Sequence, residues 1–367
     1  MKLNNSILWL FTCMVSIGIA QQKKVVILEA DAWEIEAKNH AFKKHLGRHA
    51  LFLEEGKARA KGAVFKTGII EFDVSFEQIR NFVGVHFRIL DKANYEEYYL
   101  RPHQSGNPDA MQYTPVFNGN AGWQLYTGVG HWAAKHFNFG QWMHVKLIVA
   151  DNRADVFIDD METPVLHIKD LKGEHRAGGL GFGTFLGSAY FANLTYEAIE
   201  NPKLTGKSED VLKTRATTIR DWKVSKAFAA DALKGIQELK ELDVPADTPM
   251  EPDALGILNL SKVAAVGKET NTLLAKVLLE SDKDQLKRID FGYSDQVTVF
   301  VNGKPVYFGD NSFKSRDYRY LGSVGYFDSV FLELEKGSNE VVFALTERMG
   351  GWGIMARLPD LENLRVK

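Results

Sequence analysis

The chain has 367 residues, of which 25% are charged, and its formal net charge at pH 7 is -2. A charge so close to neutral gives no field that would attract nucleic acid or an anionic membrane, so neither is expected among its partners. The length and a hydrophobic share of 45% predict a globular protein of about two domains.

Residues 1–20 have the pattern of a secretory signal peptide. Lys2 supplies a positive charge, residues 7–19 are mostly apolar, and a small-residue site ends at Ala20. The apolar stretch is short for a membrane span, and no other segment approaches the length needed, so no stable membrane insertion is expected. We expect cleavage after Ala20 and export, to the periplasm or out of the cell. A buried N-terminal helix is the alternative.

The single cysteine, Cys13, lies inside this segment. Acylation of Cys13 in a lipoprotein is a further alternative, although Thr12 is a poor residue to precede an acylated cysteine. Without Cys13, the exported chain has neither disulfides nor thiolate metal ligands. It must therefore depend on hydrophobic cores for its stability.

Residues 25–199 alternate between apolar and polar positions. The alternation is clearest over 69–77, 82–90 and 142–149, and turn signals such as Asn118-Gly119 recur between such segments. This pattern is typical of strands with one buried face and one wet face. Because no helical pattern intervenes, the segments predict an all-β jelly roll.

A polar linker is predicted over residues 200–218, and a second all-β domain over 219–367. One helix or helical turn is expected within 228–242, and Asn302-Gly303 predicts a two-residue hairpin turn. Strands are predicted over 272–279, 296–301, 329–334, 340–346 and 352–357. The fold class is therefore all-β, with two β-sandwich domains in tandem after the signal peptide.

Several motifs of the first domain occur in an order known from other jelly rolls. They are Gly68-Ile-Ile-Glu-Phe-Asp-Val74, Gly84-Val-His-Phe-Arg88, Tyr95-Glu-Glu-Tyr-Tyr-Leu-Arg-Pro102, Gln112-Tyr-Thr-Pro115, Trp123-Gln-Leu-Tyr126 and Trp142-Met-His-Val-Lys146. On these motifs the domain resembles the laminin-G-like, concanavalin-A-like jelly rolls of exported bacterial proteins, including relatives of 3-keto-disaccharide hydrolase domains. The resemblance implies the fold, which lectins, glycosidases and adhesive modules share.

The second domain resembles a galactose-binding-like jelly roll, a module that accompanies many glycoside hydrolases. The motifs are Asp290-Phe-Gly-Tyr-Ser-Asp295, Val299-Phe-Val-Asn-Gly-Lys304 and Gly350-Gly-Trp-Gly353. Its candidate ligand-facing residues are Tyr293, Ser294, Asp295, Asn311, Arg316, Asp317, Arg319 and Trp352. For Trp352, a buried position at the start of a strand is the preferred interpretation.

The polar face of the first domain is the strongest candidate site. Its candidate acid–base residues are Glu71, Asp73, His86 and Glu97, and its candidate ligand-binding residues are Arg88, Tyr99, Arg101, Trp123, Tyr126, His144 and Lys146. Arginine forks and carboxylates bind hydroxyl pairs, and aromatic rings cover the apolar faces of sugars. We therefore predict an oligosaccharide or polysaccharide partner. A merely solvated face with weak salt pairs is the alternative.

Two functions follow from this face. The first is an exported carbohydrate-binding protein, and the alternative is a glycan-cleaving hydrolase or lyase. Laminarinase-type enzymes of this fold carry Glu-x-Asp-x-x-Glu or Glu-x-Asp-x-Glu, but here the last glutamate is displaced to Glu77, which argues against their retaining mechanism. Glu71 paired with Glu97, or His86 as a general base, stays open. Protein–protein adhesion would instead require a flat apolar patch.

No cofactor and no metal site are predicted. The loop residues His103, Asp109, His131 and His136 follow no metal-ligand spacing. Calcium stays open because jelly rolls often bind it in loops that contain aspartates, although no cage spacing is present. The aspartates concerned are Asp151, Asp155, Asp159 and Asp160.

Overall fold

The computed structural model of the chain describes residues 23–206, 217–317 and 321–367. The predicted signal peptide and most of the predicted linker lie outside these ranges. Regular structure in the described ranges is almost entirely β, which confirms the predicted fold class, and no helix there is long and apolar enough to span a bilayer. The helices are short 3-10 turns at Ala30–Ala32, Pro102–Gln104, Ala230–Leu233, Leu239–Glu241 and Leu260–Lys262.

The strands of the first half of the chain hydrogen-bond into one folded antiparallel sheet. They are β1 (Lys24–Val25), β2 (Trp33–His45), β3 (Arg48–Ala60), β4 (Gly68–Ser75), β5 (Phe82–Ile89), β6 (Tyr95–Leu100), β7 (Met111–Phe117), β8 (Asn120–Ala121), β9 (Trp132–Ala133), β10 (Met143–Ala150), β11 (Arg153–Ile158), β12 (Leu166–Ile168) and β13 (Gly179–Ala198). The order is β12-β11-β10-β4-β13-β5-β6-β7-β8, and the β2–β3 hairpin pairs with β13 through β3.

The long strand β13 folds this sheet into a sandwich. Its first part pairs with β5 and its last part with β4, and the register with β3 shifts between Thr184 and Ser188. The β4–β10–β11 half and the β5–β6–β7 half therefore share one core. The ring of Phe72 on β4, for example, lies 5.2 Å from that of Phe182 on the first part of β13. We call this unit the N-terminal sandwich.

The second half of the chain forms two further antiparallel sheets around one core, which we call the C-terminal sandwich. Its strands are β14 (Trp222–Ser225), β15 (Ala246–Met250), β16 (Leu258–Asn259), β17 (Thr272–Ser281), β18 (Gln285–Ser294), β19 (Gln296–Val301), β20 (Lys304–Asp310), β21 (Asp328–Leu334), β22 (Gly337–Thr346), β23 (Gly353–Arg357) and β24 (Leu364–Val366). The predicted hairpin is confirmed: Asn302 and Gly303 both have positive φ between β19 and β20.

The two sandwiches pack against each other without sharing strands in the described residues. Leu125 and Tyr126 form an apolar cluster with Ile257 and Val324. The predicted domain boundaries, at 25–199 and 219–367, stay predictions.

Candidate functional site

A cavity of about 900 Å³ lies on the outer face of β5 and β6, and we call it the main cavity. Its floor includes His86 from β5, with Glu97 and Tyr99 from β6 and Arg101 just beyond that strand. Alternate residues of a strand point to the same face, so Glu97 and Tyr99 face outward while Tyr98 enters the core.

A column of side chains holds His86 and Glu97 in place. His86 Nε2 lies 3.2 Å from Glu97 Oε1, the ring of Tyr95 lies 4.5 Å from the His86 ring, and Lys57 Nζ lies 4.6 Å from the Tyr95 ring. Gly183 on β13 leaves room for the imidazole, since a Cβ there would lie 2.5 Å from His86 Cε1.

A second polar network fixes the other end of the floor. Arg101 Nη1 donates to the carbonyl and to the carboxylate of Asp109, at 2.9 Å and 3.0 Å. Its Nη2 donates to Tyr99 Oη at 2.9 Å and also to Gln112, while Tyr99 donates to Gln112 Oε1 at 2.8 Å. The guanidinium and the phenol are therefore held in one geometry.

The pKa values of Tyr99 and His103 are both shifted away from neutral pH. Burial raises the pKa of Tyr99 to about 12, so the phenol keeps its proton. Burial, with the nearby charges of Arg80 and Arg101, lowers the pKa of His103 at the rim, which favours its neutral form. The floor thus presents fixed neutral and charged hydrogen-bonding groups.

The walls of the main cavity are largely apolar and aromatic. On one side, Phe82 of β5 lies 5.9 Å from the ring of Phe185, which is 60% exposed and is followed by exposed Leu186. On the other side lies Trp123, whose ring contacts that of Phe313 edge-on at 5.8 Å. Phe313 belongs to the C-terminal half of the chain.

Five of the predicted site residues line the main cavity: His86, Glu97, Tyr99, Arg101 and Trp123. Four others do not, because they lie on β4 and β10. β4 does not pair with β5, since both strands pair with successive parts of β13 and the sheet folds between them. The prediction that all these residues share one face is therefore wrong. The four, on the outer face of the opposite half-sheet, are Glu71, Asp73, His144 and Lys146.

The β4–β10 residues form an ion-pair network of their own. Asp73 accepts hydrogen bonds from His144 and Asn193 and pairs with Arg48. Burial opposes ionisation of Asp73, but these partners outweigh it and hold the pKa below its ordinary value. The Asp73 hydrogen bond in turn raises the pKa of His144. Lys146 Nζ donates to the Met161 carbonyl at 2.9 Å.

Arg88 points into the protein, which corrects the prediction that it shares a face with His86. β5 carries one extra residue against β13 at this point, and Arg88 has φ +49°. The regular alternation of inward and outward side chains is therefore interrupted at Arg88. Its side chain is 1% exposed and lies 3.9 Å from the carboxylate of Glu96, which is equally buried. Tyr126 is also buried, against the C-terminal sandwich, and does not line the main cavity.

Several residues of the main cavity were not among the predicted site residues. They are Lys57, Tyr95, Asp109, Phe185, Phe313 and Met349. The sequence marks Asp109 only as a loop residue beside histidines that follow no metal-ligand spacing. Phe313 had one usable signal, an aromatic residue within a polar loop, but nothing in the sequence relates that loop to Trp123.

Two of the aspartates considered as calcium ligands accept hydrogen bonds from the backbone. Asp155 accepts hydrogen bonds from the backbone N–H groups of Thr205 and Gly206, and Asp159 accepts from that of His144. Across the described ranges, no three His, Cys, Asp or Glu side chains are grouped as a metal site would need. Trp352 is fully buried, as preferred, and Arg319 lies outside the described residues.

Comparisons with known proteins find partial matches among solved structures. No family model matches the chain, and no curated protein matches it significantly. Carbohydrate binding module CBM66 from Bacillus subtilis is 16% identical over 45% of this chain and 95% of its own length, with a TM-score of 0.37. A Bacillus subtilis protein of unknown function with a galectin-like fold is 13% identical (48% and 94% covered, TM-score 0.37). The β-glucanase of Bacillus licheniformis is 9% identical (49% and 98% covered, TM-score 0.34).

Proposed function

We propose that the protein is an exported carbohydrate-binding protein whose ligand occupies the main cavity. One observation supports this above all: a rigid polar floor lies beneath aromatic and apolar walls. A sugar carries hydroxyl groups around its rim and apolar C–H groups on its faces, so its recognition needs both surfaces together. The cavity volume of about 900 Å³ also suits a ligand of a few sugar rings.

The floor offers acceptors and donors to a sugar. Among the described residues only His86 hydrogen-bonds to the Glu97 side chain, through Oε1, which leaves Oε2 to accept from hydroxyl groups. Tyr99 and Arg101 are braced by Gln112 and Asp109, so they lose little entropy when a ligand binds.

The charge of the lining favours a neutral glycan. Four basic and three acidic side chains line the main cavity in the described part of the chain: Lys57, Arg80, Arg101, Lys314, Glu55, Glu97 and Asp109. One basic and one acidic member of this set, Arg101 and Asp109, already pair with each other. A polyanionic glycan would need a clear excess of basic groups.

The positions of the acidic residues favour binding over two-carboxylate hydrolysis, which needs carboxyl groups about 5–10 Å apart. The backbone positions of Glu97 and of Arg101, which holds Asp109, lie roughly 13 Å apart along the strand. Glu55 is on β3, three strands away from β6, a lateral distance of about 14 Å.

One contact supports the alternative, glycan cleavage. The His86 ring and the Glu97 carboxylate form a hydrogen-bonded pair on the floor, and a carboxylate that orients an imidazole is a common arrangement for a general base.

The decisive experiment is incubation of the mature protein with cello-, laminari-, manno- and xylo-oligosaccharides and their parent polymers, reading both retention and released products. We expect retention without products, lost in Glu97→Gln and Tyr99→Phe. Matched controls are Glu71→Gln and Lys146→Ala on the opposite outer face, which should bind as the wild type does.

Each outcome separates the functions. Product release that disappears in His86→Ala would establish the enzyme in place of the binding protein. Retention that is lost equally in the control variants would place the ligand outside the main cavity. The absence of both retention and released products across the whole panel would refute the carbohydrate proposal.

Export is part of the proposal and depends on residues 1–20 alone. Lys2, the apolar run and the small residues before Ala20 support it. Mass spectrometry of protein expressed from the full-length sequence in a bacterial host should find the N-terminus at Gln21 in the exported fraction. An intact Met1 in the soluble cytoplasmic fraction would contradict it.

A further inference from the structure

The C-terminal half of the chain supplies one side of the main cavity. Its lining residues there, which we call the wall residues, are Phe313, Lys314, Leu321, Met349 and Gly350. Met349 is 50% exposed, and the ring of Phe313 contacts Trp123 of the N-terminal sandwich at 5.8 Å. The side is thus built from apolar groups of both halves.

Gln124 attaches these loops to the N-terminal sandwich. Its backbone N–H donates to the Gly350 carbonyl at 2.7 Å, and its own carbonyl accepts from the Val324 N–H at 2.9 Å. Its side-chain Nε2 donates to the Leu321 carbonyl at 3.1 Å, and its Oε1 accepts from Ser294 Oγ at 3.0 Å. One buried residue therefore makes four hydrogen bonds across the interface.

Two glycines make this approach possible. Gly350 has φ +114°, and a Cβ there would lie 2.1 Å from Gln124 Oε1. Gly322 has φ +76°, and a Cβ there would lie 2.0 Å from Gln124 Nε2. Any other residue would force the loops away from Gln124. The wall is therefore a fixed part of the cavity and not a loose neighbour.

The strand order determines which direction the wall blocks. The floor crosses β3, β13, β5 and β6 in turn, and the segment that contains Trp123 covers β7, since Gln112 of β7 donates to the carbonyls of Trp123 and Tyr126. The wall residues stand on that segment. A ligand that crosses the strands from the β3 side would therefore meet them end-on.

We propose that the wall residues close the β7 side of the main cavity, so that the site takes the end of a glycan chain or a short oligosaccharide and excludes internal stretches of a polymer. This inference rests on the proposed carbohydrate function and adds the length class of the ligand. A chain bound at an internal stretch must leave the site on both sides, and the wall removes one exit. The apolar wall residues then cover a face of the terminal sugar.

The test is calorimetric titration of the full-length mature protein with the same four oligosaccharide series, from disaccharide to hexasaccharide, and with their parent polymers. For the series that binds, wild-type affinity should stop rising once the oligosaccharide fills the cavity, and the polymer should bind about one protein per chain end. In the double variant Phe313→Ala, Met349→Ala, affinity for the shortest bound member should fall roughly three- to tenfold, because apolar contact is lost. The polymer should then bind several proteins per chain.

Phe331→Ala is the matched control, since Phe331 is an exposed phenylalanine of the C-terminal sandwich that does not line the cavity. It should leave every affinity unchanged. Several wild-type proteins bound per polymer chain would overturn the closed end while leaving carbohydrate binding intact, and this readout needs no variant. If the affinity of a folded double variant depends on oligosaccharide length as that of the wild type does, the closed end would also be overturned. Binding of no panel member by the wild type would overturn both proposals.

Discussion

Glu347 is a fully buried acidic residue directly before the loop that holds Met349 and Gly350. Its Oε1 accepts a hydrogen bond from the Gly351 N–H at 3.2 Å. Burial and the neighbouring Asp295 carboxylate raise the pKa of Glu347 to about 8, from an ordinary value of 4.5. The folded protein therefore holds a proton here that the unfolded chain releases at lower pH.

Stability should follow this difference in proton binding. Between about pH 5 and pH 8 the folded state binds more protons than the unfolded state, so the free energy of unfolding should fall as the pH rises. Glu347→Gln should remove that decline and be more stable than the wild type above pH 8, by on the order of 2–4 kcal/mol. Urea titrations at several pH values measure this. Exposed Glu362→Gln is the control, and parallel pH profiles for all three proteins would contradict the prediction.

A substitution at Gly183 tests whether His86 is held in place in the floor of the main cavity. Gly183→Ala would place a methyl group against the His86 ring, where a Cβ lies 2.5 Å from Cε1. We expect the variant to lose about 1–3 kcal/mol of stability through overpacking. Ligand affinity should fall as His86 is displaced from Glu97. A variant with wild-type affinity and stability would show that His86 is not held as described.

Among the secondary-structure elements, the β2–β3 hairpin contributes β3 to the flank of the main cavity opposite the wall residues. Its turn, Leu46-Gly47, has positive φ at both positions, +45° and +79°. Glycine adopts this conformation readily, but leucine does so at a cost. The hairpin therefore forms in spite of its turn sequence, because its long strands pair with β13 through β3.

Replacing that leucine should stabilise the protein. Leu46 is 53% exposed, so Leu46→Asn loses little burial and gains a residue that tolerates positive φ. We expect a gain of about 0.5–1 kcal/mol in the free energy of unfolding. Leu286→Asn, at an exposed leucine without positive φ, is the control and should not stabilise. Loss of stability in Leu46→Asn would contradict the explanation.

At this scale the sequence predicted the elements better than their arrangement. The alternation in 69–77, 82–90 and 142–149 corresponds to β4, β5 and β10, because each strand has one face in a continuous core. The alternation does not reveal the extra residue that turns Arg88 inward. Nor does it reveal that β13, far along the chain, pairs with both β4 and β5. The site prediction therefore combined two faces that lie on opposite sides of the sandwich.

For the whole molecule, one buried cation joins the two sandwiches. Lys172 Nζ lies 2.8 Å from Asp170 and 2.7 Å from Asp253, and it sits 5.1 Å from the Tyr126 ring. Lys172→Met would leave these carboxylates near an apolar side chain, so we expect a loss of about 3–5 kcal/mol in unfolding free energy. Exposed Lys283→Met is the control. Equal urea midpoints for the two variants would refute this role of Lys172.

The sequence could not predict that both halves of the chain line the main cavity, and the reason is physical. Trp123 and Phe313 are far apart in the chain, and neither the polar loop around Phe313 nor the glycines near Trp352 shows a periodic pattern. Their meeting depends on Gln124, whose four partners come from three separate segments of the chain. The residues of β5 and β6 could be predicted because one strand pattern places them together.

The hydrogen bonds of Gln124 also impose an order on biosynthesis. The N-terminal sandwich leaves the ribosome first, and domains generally fold in that order. Until residues 321–350 have emerged and folded, Gln124 lacks three of its four partners, all except Ser294, and the cavity stands open on one side. A nascent or prematurely terminated chain therefore presents the floor without the wall residues, and the ligand selectivity that we propose would be acquired only when residues 321–350 are in place.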